Sequence, residues 1–310
     1  MIIAPRAPLP ERLTIAITTK NRWEDLIATL RQLGNLGLLQ CPLIVIDDGS
    51  EQTAPDEVLS QLRNHRFLRF EQSEGLVAQR NRLAALSSTD YLLSLDDDSA
   101  PLSNLGLTDV VAALDSDPAI AAVALPIKVD SQSLPARCGK ELAEASMYVG
   151  CGHILRVSTF LKLGGYWKSL VYWGEERDYA LRLYAAGYKI VSCSQPVIHH
   201  RVASIGRSSA RHCYFRMRNT LLVWYYNAPR VIVPWIMLRA MTGILVPALR
   251  RRELIASGAR GVLDSLRMLI NEEPRATVPS RMSLAQWRRW RTLVRNGDVQ
   301  SRHFHPASTI

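Results

Sequence analysis

The sequence predicts an α/β fold: a mostly parallel sheet flanked by helices, followed by a C-terminal helical extension. Three observations lead there. Short apolar runs alternate with amphipathic helical stretches over the first 125 residues, polar residues gather where those runs end, and the last third changes to a strongly basic, arginine-only composition.

Taken in order, Leu13–Ile17, Leu43–Asp47, Phe67–Phe70, Tyr91–Leu95 and Ile120–Leu125 are the strands. Trp23–Leu33, Asp56–Arg63, Leu76–Leu86 and Asn104–Leu114 are the helices between them. Strands joined through helices of this length make right-handed βαβ crossovers, and such a sheet binds its ligands outside the carboxyl ends of the strands. The residues to inspect are therefore those that follow each apolar run.

The first run ends in Thr18-Thr19-Lys20-Asn21-Arg22, the second in Asp47-Asp48-Gly49-Ser50 and the fourth in Asp96-Asp97-Asp98. No GxGxxG follows the first strand and no GxxxxGK[ST] occurs, which argues against a dinucleotide site and against a P-loop. Two unit charges roughly 4 Å apart repel by about 4 kcal/mol at an effective dielectric near 20, so three adjacent carboxylates require solvation or a cation. Aspartates are hard oxygen donors suited to Mg²⁺ or Mn²⁺, ions that commonly also hold substrate phosphates.

Residues 173–189 read as a helix with Glu175, Glu176 and Asp178 in its first turn and Gly187 as its C-cap. The runs Lys189–Ser192 and Pro196–Ile198 then lead to the pair His199-His200. A second carboxylate cluster and a histidine pair after a triple-aspartate strand end suit metal-assisted group transfer.

The ordered set "LTIAITTKNR", "LIVIDDGS", "EGLVAQRNRLAALSSTDYLLSLDDDSAP", "LGGYWKSLVYWGEERDYALRLYAAGYKI" and "VIHHRVAS" resembles the family 2 inverting glycosyltransferases of the GT-A fold, over roughly residues 12–220. The resemblance implies a nucleotide-diphosphate sugar donor, Mn²⁺ or Mg²⁺ held by a DxD motif, and an acidic general base at the start of the late helix. On this chain it places Thr18, Asp48 and Arg80 against the donor nucleotide, with Asp96 and Asp97 beside the sugar nucleotide. The metal falls to Asp98 and Asp96, completed by His200 or else His199. The base is Glu176, with Glu175 as the alternative, and Trp167, Tyr172 and Trp173 form an aromatic wall for an acceptor sugar or lipid. A carboxylate that takes the acceptor's proton accounts for single displacement with inversion.

The remaining features bear on setting. With 310 residues, 47% hydrophobic and 21% charged, the chain is globular in composition. Cys41, Cys138, Cys151, Cys193 and Cys213 show neither a CxxC pair nor metal-ligand spacing and read as reduced thiols without assigned chemistry. The N-terminal decapeptide does not read as a signal peptide, so the expected location is cytoplasmic.

The net charge of +10 is unevenly divided. Residues 201–310 hold 19 Arg, no Lys and 5 acidic residues, a net of +14, which leaves −4 for residues 1–200. Domains are expected at 1–225, the transferase, and 226–310, a basic helical region. Arg207–Tyr226 reads as a long basic helix whose Arg207 or Arg211 reaches the diphosphate. The apolar stretch 231–249, flanked by arginines, reads as an interfacial hairpin, with a buried helix or a membrane span as alternatives. The Arg/Trp stretch 283–302 would suit a lipid headgroup layer. A peripheral position on the inner face of an anionic membrane follows, with a lipid-linked or polysaccharide acceptor and no nucleic acid; oligomeric state is open. The competing functions are an inactive nucleotide-binding scaffold of a glycan-assembly complex and a polyprenyl-phosphate sugar transferase.

Overall fold

Continuous apolar runs become the buried strands of the sheet. In the computed structural model, which describes residues 7–130, 142–201, 208–248, 252–271 and 281–295, a short helix α1 (Leu9–Arg12) leads into β1 (Leu13–Thr19). There follow α2 (Trp23–Asn35), β2 (Leu43–Asp47), α3 (Asp56–Gln61), β3 (Arg66–Arg69), α4 (Leu76–Leu86) and β4 (Tyr91–Asp96). The chain continues through β5 (Ser99–Pro101), α5 (Leu107–Ser116), β6 (Ile120–Ala124), β7 (Ile127–Val129), β8 (Ala143–Glu144), β9 (Gly152–Arg156) and α6 (Val157–Lys162). After α7 (Glu175–Ala185) come β10 (Lys189–Ser192) and β11 (Ile198–His200), then the helices α8 (Ser209–Asn227), α9 (Val233–Ala248), α10 (Arg252–Ile270) and α11 (Leu284–Arg295).

The large sheet has the order β3-β2-β1-β4-β9-β6-β10-β8, and β5-β11-β7 form a second, three-stranded sheet. The block β3-β2-β1-β4 is parallel, and every residue of β1 and β2 is buried, as strands covered on both faces require. Leu26, Leu30 and Leu33 of α2 and Val110 and Leu114 of α5 pack into the same core.

The sheet differs from the expected mostly parallel one at β9. That strand lies antiparallel to both β4 and β6, so Ile120–Ala124 does not pair with Tyr91–Asp96 directly. Its five residues, Gly152-His153-Ile154-Leu155-Arg156, contain a glycine and two polar side chains, too weak an apolar run to read as a strand.

The chain divides into two compact units: residues 1–162 with 189–203, and residues 163–188 with 204–310. This cuts the sequence differently from the division at 225, because α7 is tied to α8 by local polar contacts. In the second unit, Asp178 on α7 accepts hydrogen bonds from Arg182 Nε (2.9 Å) and from Asn227 Nδ2 on α8 (3.0 Å). Arg182 also donates to the carbonyls of Leu163 (2.6 Å) and Gly165. The end of α7 is closed by Gly187 in the left-handed region, with Tyr188 N donating to Leu183 O and Gly187 N to Tyr184 O. Gln286 on α11 then donates to the carbonyls of Tyr184 and Ala185.

α8 and α10 approach closely because Gly261 lies at their contact, where a Cβ would stand 2.6 Å from Tyr214 O. Cys213, Met217, Leu221 and Leu254 form that core, with Met237 and Met241 of α9 packed on it. The stretch 231–249 is thus largely the helix α9, which leaves Trp235 and Leu238 exposed. No helix among the described residues is long and apolar enough to cross a membrane.

The Arg/Trp stretch departs from its expected role. Trp287 and Trp290 of α11 are buried and pack edge-on against Trp224 of α8, with centroids 5.5 and 5.7 Å away, so they serve the protein interior. Cys138, Arg207, Leu249 and residues 296–302 lie outside the described residues.

Candidate active site

Three aspartates at the end of β4 can stand together only where opposite charge and donors surround them. The first unit supplies both. Arg22, just after β1, reaches Asp97 Oδ1 (3.0 Å) and Asp98 Oδ2 (2.5 Å). Thr19 Oγ1 donates to Asp97 Oδ2 (2.9 Å), and Arg80 Nη2 on α4 donates to Asp96 Oδ1 (2.8 Å). Thr29 Oγ1 and Arg201 Nη2 donate to the Asp97 carbonyl, and Arg201 N to that of Asp98.

Burial and the neighbouring carboxylates push Asp97 up to about 8 against the opposing pull of Arg22. Burial works against the Arg22 charge, yet Asp97 and Asp98 hold it above the ordinary arginine value. Arg22 and Arg201 are the residues that sequence reasoning passed over here. Arg22 stood in the quoted strand end, but nothing local distinguishes a guanidinium that returns to a distant strand from a solvated one.

The expected nucleotide residues are distributed unevenly. Thr18 is buried and in register with Asp96, one strand across. Arg80 is committed to Asp96. Asp48 faces inward: its carboxylate accepts from Ser73 Oγ, Glu74 N, Gly75 N and Gln79 Nε2 at 2.6–3.0 Å. Those four bonds fill the acceptor sites of a carboxylate, so Asp48 holds the turn leading into α4 and has no acceptor site left for a nucleoside.

The histidines separate by strand alternation. His200 Nε2 lies 3.3 Å from Asp98 Oδ1, whereas His199 Nε2 pairs with Asp130. Burial would discharge His200, but hydrogen bonds and charge from Asp98 and Cys151 push it up to about 10. Ligand bonds of about 2.1 Å at right angles separate two donors by roughly 3 Å, so Asp98 and His200 have the spacing of neighbouring ligands on one divalent ion. With Asp96 alongside, this oxygen and imidazole set fits a divalent cation.

The second unit holds the other predicted residues. Glu175 and Glu176 begin α7 and are both buried. The preceding loop puts Val171 (φ 60°) and Trp173 (φ 68°) in the left-handed region, which costs on the order of 1–3 kcal/mol for each such residue. A clamp on α8 offsets that strain. Asn219 Nδ2 donates to the carbonyls of Leu170, Tyr172 and Trp173 at 2.7–2.9 Å. Arg218 Nη2 donates to those of Ser169 and Leu170, and its Nε to Asn219 Oδ1.

Of the aromatic trio, Tyr172 and Trp173 are partly exposed, with His212 edge-on to both. Trp167 is buried against Tyr226 and belongs to the core. Arg211 stacks over Tyr172 and Phe215. Arg177 is pushed down to about 10 by burial and by Arg216, while Glu176 opposes that shift.

Residues 14–159 match the model of glycosyl transferase family 2. No curated protein sequence matches the chain significantly. Among solved structures, GalNAc-T7 with UDP, GalNAc and Mn²⁺ superposes with a TM-score of 0.64 at 15% identity, covering 86% of this chain and 59% of its own. The mannosyltransferase PcManGT from Pyrobaculum calidifontis, with GDP-Man and Mn²⁺, gives 0.56 at 15% identity, covering 94% and 86%. S. aureus TarS 1-349 with UDP gives 0.53 at 16%, covering 77% and 71%. The chain thus spans about three fifths of the length of the first of these. Residues 14–159 thus match the family 2 glycosyl transferase model, and the architecture is that of the GT-A fold.

Proposed function

We propose that the protein transfers a sugar, with inversion, from a nucleoside-diphosphate sugar to a hydroxyl of a lipid-linked or polysaccharide acceptor. The observation that carries this reading is the strand-end cluster in which Asp96, Asp97 and Asp98, within the family 2 match, meet His200 beyond it. Mn²⁺ or Mg²⁺ held by Asp98, Asp96 and His200 would supply positive charge to the diphosphate leaving group. Thr18 and Arg80 line the nucleotide side, and Asp48 acts there through the turn it holds. Glu176 takes the proton of the acceptor hydroxyl, a contribution typically of about 10²–10⁴-fold. Tyr172 and Trp173 offer the acceptor partly exposed rings.

The test begins with thermal stability in UDP, GDP, dTDP and CMP, with and without Mn²⁺. A nucleotide at about 100 Kd adds roughly 2.7 kcal/mol to native stability. One nucleotide should act, and only with the metal. Asp98→Ala should lose that response, and Glu176→Gln should keep it while transfer falls at least about 100-fold. Near-normal transfer by both folded variants would remove these residues from the mechanism.

The same reading places the C-terminal helices on an anionic membrane, supported by the exposed Trp235 and Leu238 and by the +14 charge of residues 201–310. Trp235→Ser with Leu238→Ser should change stability by less than about 0.5 kcal/mol, as surface substitutions do. Sedimentation with phosphatidylglycerol vesicles should drop at least fivefold; unchanged sedimentation would refute the membrane face.

A further inference from the structure

Cys151 was expected to carry no chemistry, yet it stands beside two of the acidic and histidine residues already described. We propose that Asp96, Cys151 and His200 form a thiolate-containing site for a Zn²⁺-class cation, distinct in ligand set from the oxygen-rich site for Mn²⁺ or Mg²⁺. The donor atoms of these three residues lie within 4.8 Å of one another. A tetrahedral ion with bonds of about 2.0–2.3 Å separates its ligands by roughly 3.3–3.8 Å, so side-chain rotations of about an ångström close the set.

The backbone holds this arrangement in place. Gly152 begins β9, and a Cβ there would fall 2.6 Å from Ile127 Cδ1 and 2.8 Å from Ile198 Cγ1. Only a glycine lets β9 begin this close to β7 and to β11, the strand that carries His200. The turn is closed by Gly152 N donating to Val149 O, and Ser99 Oγ donates to the Cys151 carbonyl at 2.9 Å. Asp96 also accepts from Arg80, but a carboxylate has two oxygens and can serve both partners.

Chemistry selects the metal class. Thiolate and imidazole together suit Zn²⁺ and Co²⁺, whereas Mn²⁺ stands lowest in the affinity order and prefers oxygen. On binding, the thiol proton leaves to the buffer and the sulfur lone pair forms the metal bond. Three protein ligands leave a fourth position for water. Because His200 and Asp96 also serve the oxygen-rich site, a Zn²⁺-class ion would compete there with Mn²⁺.

The test is a Co²⁺ titration of the reduced full-length protein, read by absorption and needing no sugar transfer, so its failure leaves the transferase reading intact. The expected result is a thiolate-to-cobalt charge-transfer band in the near ultraviolet, with intense tetrahedral visible bands, erased by one equivalent of Zn²⁺. Cys151→Ser should lose the band and weaken Zn²⁺ binding at least about tenfold, since even supporting residues around a metal account for 10–100-fold. Cys193→Ser should keep both. His200→Gln, read in the same way, provides the test should Cys151→Ser fail to fold. A weak, octahedral-type spectrum from the wild-type protein would overturn the site, as would a charge-transfer band that survives in a folded Cys151→Ser or His200→Gln variant.

Discussion

The two units hold their acidic residues by opposite means. In the first, the carboxylates at the end of β4 are met by side-chain charge at the rim of the sheet, and Arg22 retains some exposure. In the second, Glu175 and Glu176 are presented by a strained loop whose carbonyls are held by Asn219 and Arg218, beneath which Asp178 and Arg182 are sealed from solvent. Buried carboxylates whose counter-charge reaches solvent, as Arg22 does, can exchange it for another. A sealed pair cannot.

The sharpest test of that contrast pairs two arginines. Arg182→Met strands Asp178, which is 0% exposed, and should cost about 3–5 kcal/mol in denaturant unfolding, unaffected by divalent ions. Arg22→Met should cost less, about 1–3 kcal/mol in EDTA, and should regain part of that in millimolar Mn²⁺. Equal losses, or equal rescue by metal, would erase the distinction.

A smaller effect is expected at the clamp. Asn219→Ala takes the Asn219 amide from the Tyr172 and Trp173 carbonyls, while Leu170 O keeps Arg218, and should lower stability by about 2–3 kcal/mol. It should also reduce kcat more than it weakens nucleotide binding, because the nucleotide residues lie in the first unit. A loss of less than about 0.5 kcal/mol would mean that Val171 and Trp173 hold their conformation without it.

The smallest effect per unit of condition is a pH slope from the first unit. His153 on β9 donates to Val149 O (3.0 Å) and stacks on Tyr148; burial, followed by the charge of Arg80, pushes it down to about 3. Its folded value lies below the unfolded one, so the unfolded chain takes up a proton that the fold refuses. This contribution is absent above about pH 6.5 and removes up to roughly 1.4 kcal/mol per pH unit as pH falls from 6.5 toward 3. His153→Gln should flatten that slope in urea titrations between pH 7 and 5; an unchanged slope would assign it to other groups.

Legibility differs between the units for the same physical reason as their stability. Leu13–Ile17, Leu43–Asp47 and Tyr91–Leu95 announce themselves because parallel strands buried on both faces need unbroken apolar runs. Leu76–Leu86 matches α4 at both ends. The inserted strand β9 escaped notice because its pairing partners, not its own composition, make it a strand. Trp167, Trp287 and Trp290 looked like surface aromatics but are buried by helices far along the chain.

By itself the sequence determined the alternation of strands and helices, the polar strand ends, the acidic start of α7 and its glycine cap, and the match of residues 14–159 to glycosyl transferase family 2. All of these follow from local period, local conformational preference or adjacent motifs. Only the tertiary structure decided that His200 rather than His199 meets Asp98, that Asp48 is spent on a turn, that Arg22 and Arg80 neutralise the aspartates, and that Cys151 joins them. Each of those depends on which strand lies beside which and in what register. A shift of one residue along a strand turns every side chain to the other face, and that choice is made by the whole sheet.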